Sequence, residues 1–203
     1  MFLDEMPEFS RRSLEILRQP LEDKVIRISR VYGTYDFPAD FMLCAAMNPC
    51  PCGHYPDMNR CRCTPAQVMQ YLGRISQPLL DRLDLCAEVS PVDFEGLSSG
   101  RKGESTQTIR ERVICAQDIQ RERYKIEGIQ FNGELSGAQI EKYCKMEKDA
   151  RQLLKMAFQN MPFSARAYHR ILKVARTIAD MEATESIHRH HIAEALSYRA
   201  FDK

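Results

Sequence analysis

The sequence has no apolar run approaching the roughly 18 residues of a membrane-spanning helix, and Phe2-Leu3 is far too short for the core of a secretion signal. A cytoplasmic protein without a membrane partner is expected. An excess of either charge is also missing: 29 Lys+Arg stand against 28 Asp+Glu, so any nucleic-acid surface must come from local clustering of basic residues. There is no internal repeat and no low-complexity tract. The phosphate-cradling string G-x-x-x-x-G-K-[ST] is absent as well, and RKGES around Lys102 lacks the glycine spacing. With it goes any self-contained set of backbone amides and lysine for nucleotide phosphates. What remains, 203 residues of which 44% are hydrophobic, suits one globular domain or two small ones.

The pattern along the chain changes character near its middle. Phe2-Leu3 reads as a short strand, and SRRSLEILRQ then puts Leu14, Leu17 and Leu21 at helical spacing, with Pro20 expected to stop the helix. VIRISRVYGTYDFP alternates in the manner of a hairpin, with Gly33 in its turn. The continuous apolar run Phe41 to Met47 fits a strand buried on both faces of a parallel sheet. A helix is expected from Pro65 to about Ile75, another at PLLDR, and a strand over Leu85 to Val89. Strands alternating with helices argue for an α/β sheet. The polar stretch 96–104 reads as a linker between a sheet-containing part, 1–95, and a helical part, 105–203. In the latter, Ile109, Val113 and Ala116 with Ile119 or Gln120 form one stripe, and Tyr168, Ile171, Leu172, Ala175, Ile178 and Ala179 form a cleaner one.

Two adjacent carboxylates, Asp4 and Glu5, end the first strand. Phosphate-transferring ATPases use such a strand tip to hold magnesium and to orient a water, although an acidic pair there can also face solvent or cap the next helix. Some forty residues on, the apolar run ends in Asn48, whose amide can bond both a phosphate oxygen and a water. PLLDR then offers Arg82, and SARAYHRILKVA offers Arg166 near a helix start. Each has a plainer alternative: Asn48 before Pro49 as a turn residue, Arg82 paired with Asp81 or Asp84, Arg166 on a solvated face with Arg170 and Lys173.

In that order, strand-Asp-Glu, strand-Asn and two spaced arginines resemble the AAA+ ATPases. LDEMPEFSRRSLEILRQPLED, AAMNPCPCG, CRCTPAQVMQYLGRISQPLLDRLDL and SARAYHRILKVARTIAD together look like the magnesium-chelatase-like proteins of the ComM-type competence branch. The resemblance implies a partial AAA+ core with parallel strands, carrying a cysteine-rich insertion at 48–64, followed by an all-α lid. It implies a magnesium-ordering role for Asp4, a water-polarising one for Glu5, a sensor role for Asn48, an arginine finger at Arg82 with Arg74 ranked below it, and a second sensor at Arg166. It further implies ATP and magnesium as ligands, DNA as partner and a homo-oligomeric ring, a hexamer in expectation. Because relatives carry a phosphate loop ahead of the acidic strand, a C-terminal piece of a longer DNA motor, inactive by itself, is expected. Two other functions stay open: a non-enzymatic zinc module binding nucleic acid through Arg60, Arg62 and Arg74, and an ATPase subunit of a magnesium chelatase.

Four of the eight cysteines crowd into Cys50-Pro-Cys52 and Cys61-Arg-Cys63. Four thiolates can satisfy tetrahedral zinc, although structural sites more often use C-x-x-C turns. A loop with so little apolar content has scant means of folding unaided, so zinc is expected there, with His54 as a substitute ligand. His188, His190 and His191 open the last helix, and Cys44, Cys86, Cys115 and Cys144 are expected as small core residues.

Overall fold

The computed structural model describes residues 1–90, 98, 103–161 and 163–199, arranged in two compact units, Met1–Leu83 and Asp84–Lys203. The fold is mixed α/β, with a small parallel sheet and many helices. The linker expected at 96–104 lies mostly outside the described residues. No helix among the described residues is long and apolar enough to cross a membrane.

In the first unit, β1 (Phe2–Leu3) pairs in parallel with β4 (Cys44–Ala45), in the register Phe2↔Cys44 and Leu3↔Ala45. Between them lie α1 (Arg11–Ile16), α2 (Arg18–Asp23) and an antiparallel hairpin of β2 (Val25–Arg30) and β3 (Gly33–Pro38). Ser10 caps α1 by accepting from the Ser13 N–H at 3.1 Å. Pro20 does not end this helix. The break comes earlier, at Leu17, and Pro20 occupies the first turn of α2, where the missing N–H costs no intrahelical bond. After the cysteine loop, α3 (Pro65–Leu72) starts in a capping box: Gln67 N–H to Thr64 Oγ1 at 3.3 Å and Thr64 N–H to Gln67 Oε1 at 2.8 Å. The short α4 (Gln77–Leu80) follows. The core of this unit is Met6, Leu14, Ile75 and Leu79, with Leu3, Leu17, Leu21, Met47 and Leu80 against it.

The run from Phe41 to Met47 corrects the expectation of burial. Only Cys44 and Ala45 are strand, and both are exposed, because among the described residues the parallel sheet has two strands and nothing covers its outer face. The strand expected over Leu85–Val89 is reduced to Cys86, bridged in parallel to Arg199, and Leu85 and Val89 are exposed.

The second unit contains α5 (Thr106–Arg123), α6 (Gly137–Tyr143), α7 (Lys148–Asn160), α8 (Ala165–Met181) and α9 (Arg189–Ser197). The expected α8 stripe is the centre of its core: Ile171, Leu172, Ala175, Ile178 and Ala179 are buried against Leu154 of α7 and Ile192 of α9. On α5 the stripe is shorter than expected. Ala116 and Gln120 are buried, Gln120 accepting from the Asn132 N–H at 2.9 Å, whereas Ile109 and Val113 are exposed. Of the four cysteines expected in the core only Cys144 is buried; Cys44 and Cys115 are exposed and Cys86 half-buried, since they sit on uncovered elements.

Candidate functional site

Parallel pairing fixes the first constellation. Since β1 and β4 run the same way, both end at the same edge, and backbone bonds continue past it: Ala46 N–H to Leu3 O at 2.9 Å and Met6 N–H to Ala46 O at 3.0 Å. Asp4 and Glu5 leave one strand at that edge, and Asn48 leaves the other; all three are exposed. Open α/β sheets bind ligands outside the carboxyl ends of their strands. Glu5 adopts a left-handed backbone at φ 49°, and its N–H donates to Asp4 Oδ1 at 3.0 Å. A non-glycine residue held there costs on the order of 1 kcal/mol, strain of a kind that clusters at functional sites. Behind the edge, the phenol of Tyr71 on α3 is pushed up by burial and by the carboxylates of Glu8 and Glu5, against a lowering contact from the Asn48 backbone.

Arg82 is held by Glu22 rather than by Asp81 or Asp84. Its Nη2 meets Glu22, its Nε donates to Arg18 O at 3.1 Å and its Nη1 to Pro78 O at 2.6 Å, leaving the side chain 9% exposed. Arg74 donates to Pro7 O at 3.2 Å and Glu8 Oε1 at 2.9 Å and is half exposed, beside a cavity of about 470 Å³ that Ser10, Arg11 and Gln70 also line. Arg166 lies in the second unit, exposed in the first turn of α8, whose N-cap Ser164 accepts from the Ala167 N–H at 3.1 Å.

The second constellation is the cysteine loop. Cys50 Sγ lies 3.4 Å from Cys52 Sγ and 3.8 Å from Cys61 Sγ, Cys52 and Cys61 are 3.6 Å apart, and all four sulfurs, Cys63 included, fall within 4.8 Å of one another. A tetrahedron of sulfurs at about 2.3 Å from zinc has edges of about 3.8 Å. Cys50 is fully buried and accepts from the Tyr55 N–H at 3.4 Å. Backbone N–H groups of Arg62 and His54 pull the Cys52 thiol down to about 6, whereas burial pushes the Cys63 thiol up to about 12. Four thiols this close cannot all ionise against one another, and a central cation removes that conflict. The loop can hold a metal such as zinc. His54 contributes backbone here, and its ring is not among the clustered ligand atoms.

The histidines do open the last helix, and the structure adds a partner that the sequence pattern left out. Glu182 Oε2 lies 2.9 Å from His190 Nε2 and 3.0 Å from His191 Nε2. His191 Nδ1 accepts from the His188 N–H at 2.9 Å, so the hydrogen-bond network assigns its proton to Nε2, which donates to Glu182. A metal at that Nε2 would drive the proton onto Nδ1, against the helix cap. The group serves as a helix-end clamp. Also missed was a buried network in which Asp180 accepts from Arg123 Nη1 at 2.9 Å, Asn132 Nδ2 at 2.8 Å and Arg176 Nε at 3.1 Å.

A family profile described as "Magnesium chelatase, subunit ChlI" matches residues 1–97, and one described as "Magnesium chelatase, subunit ChlI C-terminal" matches residues 103–199. The chain is 46% identical over 205 residues to the uncharacterized protein YifB of Salmonella typhimurium, covering 100% of this chain and 39% of that protein. It is 46% identical over 201 residues to competence protein ComM of Haemophilus influenzae, covering 98% of this chain and 38% of that one. An uncharacterized protein of Mycobacterium bovis is 38% identical over 199 residues, 98% of this chain and 39% of its own length. The chain therefore spans about two fifths of the length of these curated relatives.

Proposed function

The chain belongs to the magnesium-chelatase-like family, of the ComM type, and from that membership we propose that it carries the magnesium-side half of an AAA+ ATPase site in a ring motor that acts on DNA. The observation that carries this is the parallel β1–β4 pair, which brings Asp4, Glu5 and Asn48 to one strand edge. Asp4 fits magnesium: one oxygen takes the Glu5 N–H, the other is open, and magnesium is commonly held by one or two carboxylates together with substrate phosphates. Bound there, magnesium supplies charge neutralisation for the phosphates. Glu5 orients and polarises the attacking water, and Asn48 hydrogen-bonds the terminal phosphate. The phosphate cradle, absent from these 203 residues, is contributed from outside them.

Arg82 reaches the nucleotide of a neighbouring subunit in a hexameric ring, after releasing Glu22, and Arg166 contacts the nucleotide of its own subunit as part of the helical lid. Zinc fills the four-cysteine cluster and folds the insertion. DNA is met by the β2–β3 hairpin. At its tip Val31 and Tyr32 are almost fully exposed and Arg30 is exposed too, while Arg27 is neutralised by Asp36 at 2.8 and 2.9 Å. Such a motor works in the cytoplasm.

The test replaces Glu5 by Gln in the polypeptide that joins this chain to a phosphate loop. Turnover with branched DNA should fall by two orders of magnitude or more, in the range of general-base loss, while magnesium-ATP binding is retained. Unchanged turnover would remove Glu5 from the reaction. The 203-residue chain alone should show no magnesium-ATP binding by calorimetry, and micromolar binding would contradict a shared site.

A further inference from the structure

Asn48 stands at the strand edge with an exposed carboxamide, and among the described residues no side chain fixes that group by a hydrogen bond. The terminal torsion of an asparagine is broad. Whatever aims it must therefore be the backbone on either side of it and the atoms packed against it.

Both come from the cysteine loop. Cys50 follows Asn48 by two residues and is the buried anchor of the cluster. The chain then turns back, with Gly53 N–H donating to Cys50 O at 3.0 Å. Gly53 is left-handed at φ 78°, and a Cβ built on it would lie 3.9 Å from both Cγ and Oδ1 of Asn48. Gly53 therefore lies beside the carboxamide, close enough that any side chain there would come into van der Waals contact with it, at a position where a side chain would also be strained. The second pair of sulfurs leads into the next helix: Cys63 directly precedes Thr64, the cap of α3, with Cys61 two residues earlier, and Tyr71 of the same helix touches the Asn48 backbone. The cluster therefore joins the exit from β4 to the entry of α3, and Asn48 stands where the chain enters that joint. From Pro51 to Thr64 every other residue is exposed, so no apolar packing holds the turn in its place.

We propose that metal bound by Cys50, Cys52, Cys61 and Cys63 is what positions Asn48: loading the cluster closes the Cys50–Gly53 turn on the carboxamide and aims it across the edge toward Asp4 and Glu5. The consequence for catalysis rests on the nucleotide-site reading above; the positioning itself does not. Asn48 is here a residue whose orientation is set from the metal centre, and metal loss disarms the edge without unfolding the helical unit.

The test uses the whole 203-residue chain with ¹⁵N-asparagine, the Asn48 side-chain signal being assigned by its loss in Asn48→Ala. Zinc-loaded protein should contain about one equivalent of metal and show the Asn48 carboxamide at a dispersed position with restricted motion. Stripping zinc with a chelator should move that signal to the free-chain position, and added zinc should return it. Cobalt(II) in place of zinc should give the intense thiolate charge-transfer absorption of a four-sulfur site. Cys63→Ser should lose both metal and the dispersed signal, whereas Cys63→His, which keeps four ligands, should restore both. Gly53→Ala, the smallest side chain that reaches the carboxamide, should retain metal yet shift the Asn48 signal, a separation that simple destabilisation of the loop does not produce. If zinc is bound but the Asn48 signal is the same with and without it, the positioning inference is overturned and the metal site stands. Failure to bind zinc or cobalt overturns the metal site itself.

Discussion

Among the described residues, the second unit gathers fourteen buried residues into one apolar cluster, while the first gathers four, Met6, Leu14, Ile75 and Leu79. The contrast follows from their elements. Helices such as α8, at 17 residues, offer a full apolar stripe to their neighbours, and packing one stripe on another buries both. In the first unit the strands of the parallel pair are two residues each, the hairpin is largely exposed, and within 48–64 Tyr55 and Met58 are exposed, so that Cys50 alone is buried there. Hydrophobic burial thus stabilises the second unit from within, and the first leans on backbone pairing and a sulfur cluster. A unit held that way leaves its edges open, and open edges are where a ligand or another subunit can enter.

Metal removal should separate the two units most strongly. Structural zinc contributes roughly 10 kcal/mol of apparent binding energy in small peptides at neutral pH, so chelation should erase hydrogen-exchange protection across α3 and the cysteine loop while α7, α8 and α9 keep theirs. Equal loss in both units would break the comparison. Next in size is Asp180→Ala, which strands the buried Arg176 and the partly buried Arg123. Removing one partner of a buried pair costs about 3–5 kcal/mol, and here the loss should be confined to the second unit in the same exchange experiment.

A smaller effect belongs to Glu127, which takes bonds from Lys142 at 2.6 Å, Tyr143 at 2.5 Å and Gln139 at 3.0 Å. The Lys142 ammonium above all holds its carboxyl down to about 2 from the ordinary 4.5. A depressed folded value stabilises above the ordinary value and is lost as pH falls between those two figures. Acid melts of the second unit should therefore flatten in that window in Glu127→Gln, and an unchanged slope would show that Glu127 contributes nothing to acid sensitivity.

How much of this was legible in the sequence also divides by unit. The α8 stripe could be read because a period of 3.6 survives along one helix, and the hairpin because alternation survives along two strands. The sulfur cluster was visible in two C-x-C pairs. The exposure of Cys44 and Ala45 was not, since an apolar run reports its own character and not what covers it. Pairings at long sequence separation were equally hidden: Arg82 meets Glu22 60 residues away, and Arg123 meets Asp180 57 residues away. No local period encodes either. Pro20 misled because a proline is as acceptable in a helix's first turn as it is beyond its end.

The most direct test of the central claim, that these residues form one half of a nucleotide site shared between subunits, mixes two variants of the polypeptide that joins this chain to a phosphate loop. Arg82→Ala removes the reaching arginine, expected to cost a thousandfold or more in turnover, and Glu5→Gln removes the water-polarising carboxylate. In a mixed ring with Arg82 acting in trans, some interfaces pair an intact Arg82 with an intact Glu5, and ATPase activity that neither parent shows should return. With mixed rings verified by mass, absence of recovery at every ratio would contradict the shared site and leave Arg82 as the clamp on Glu22 and Arg18 that it forms within its own unit.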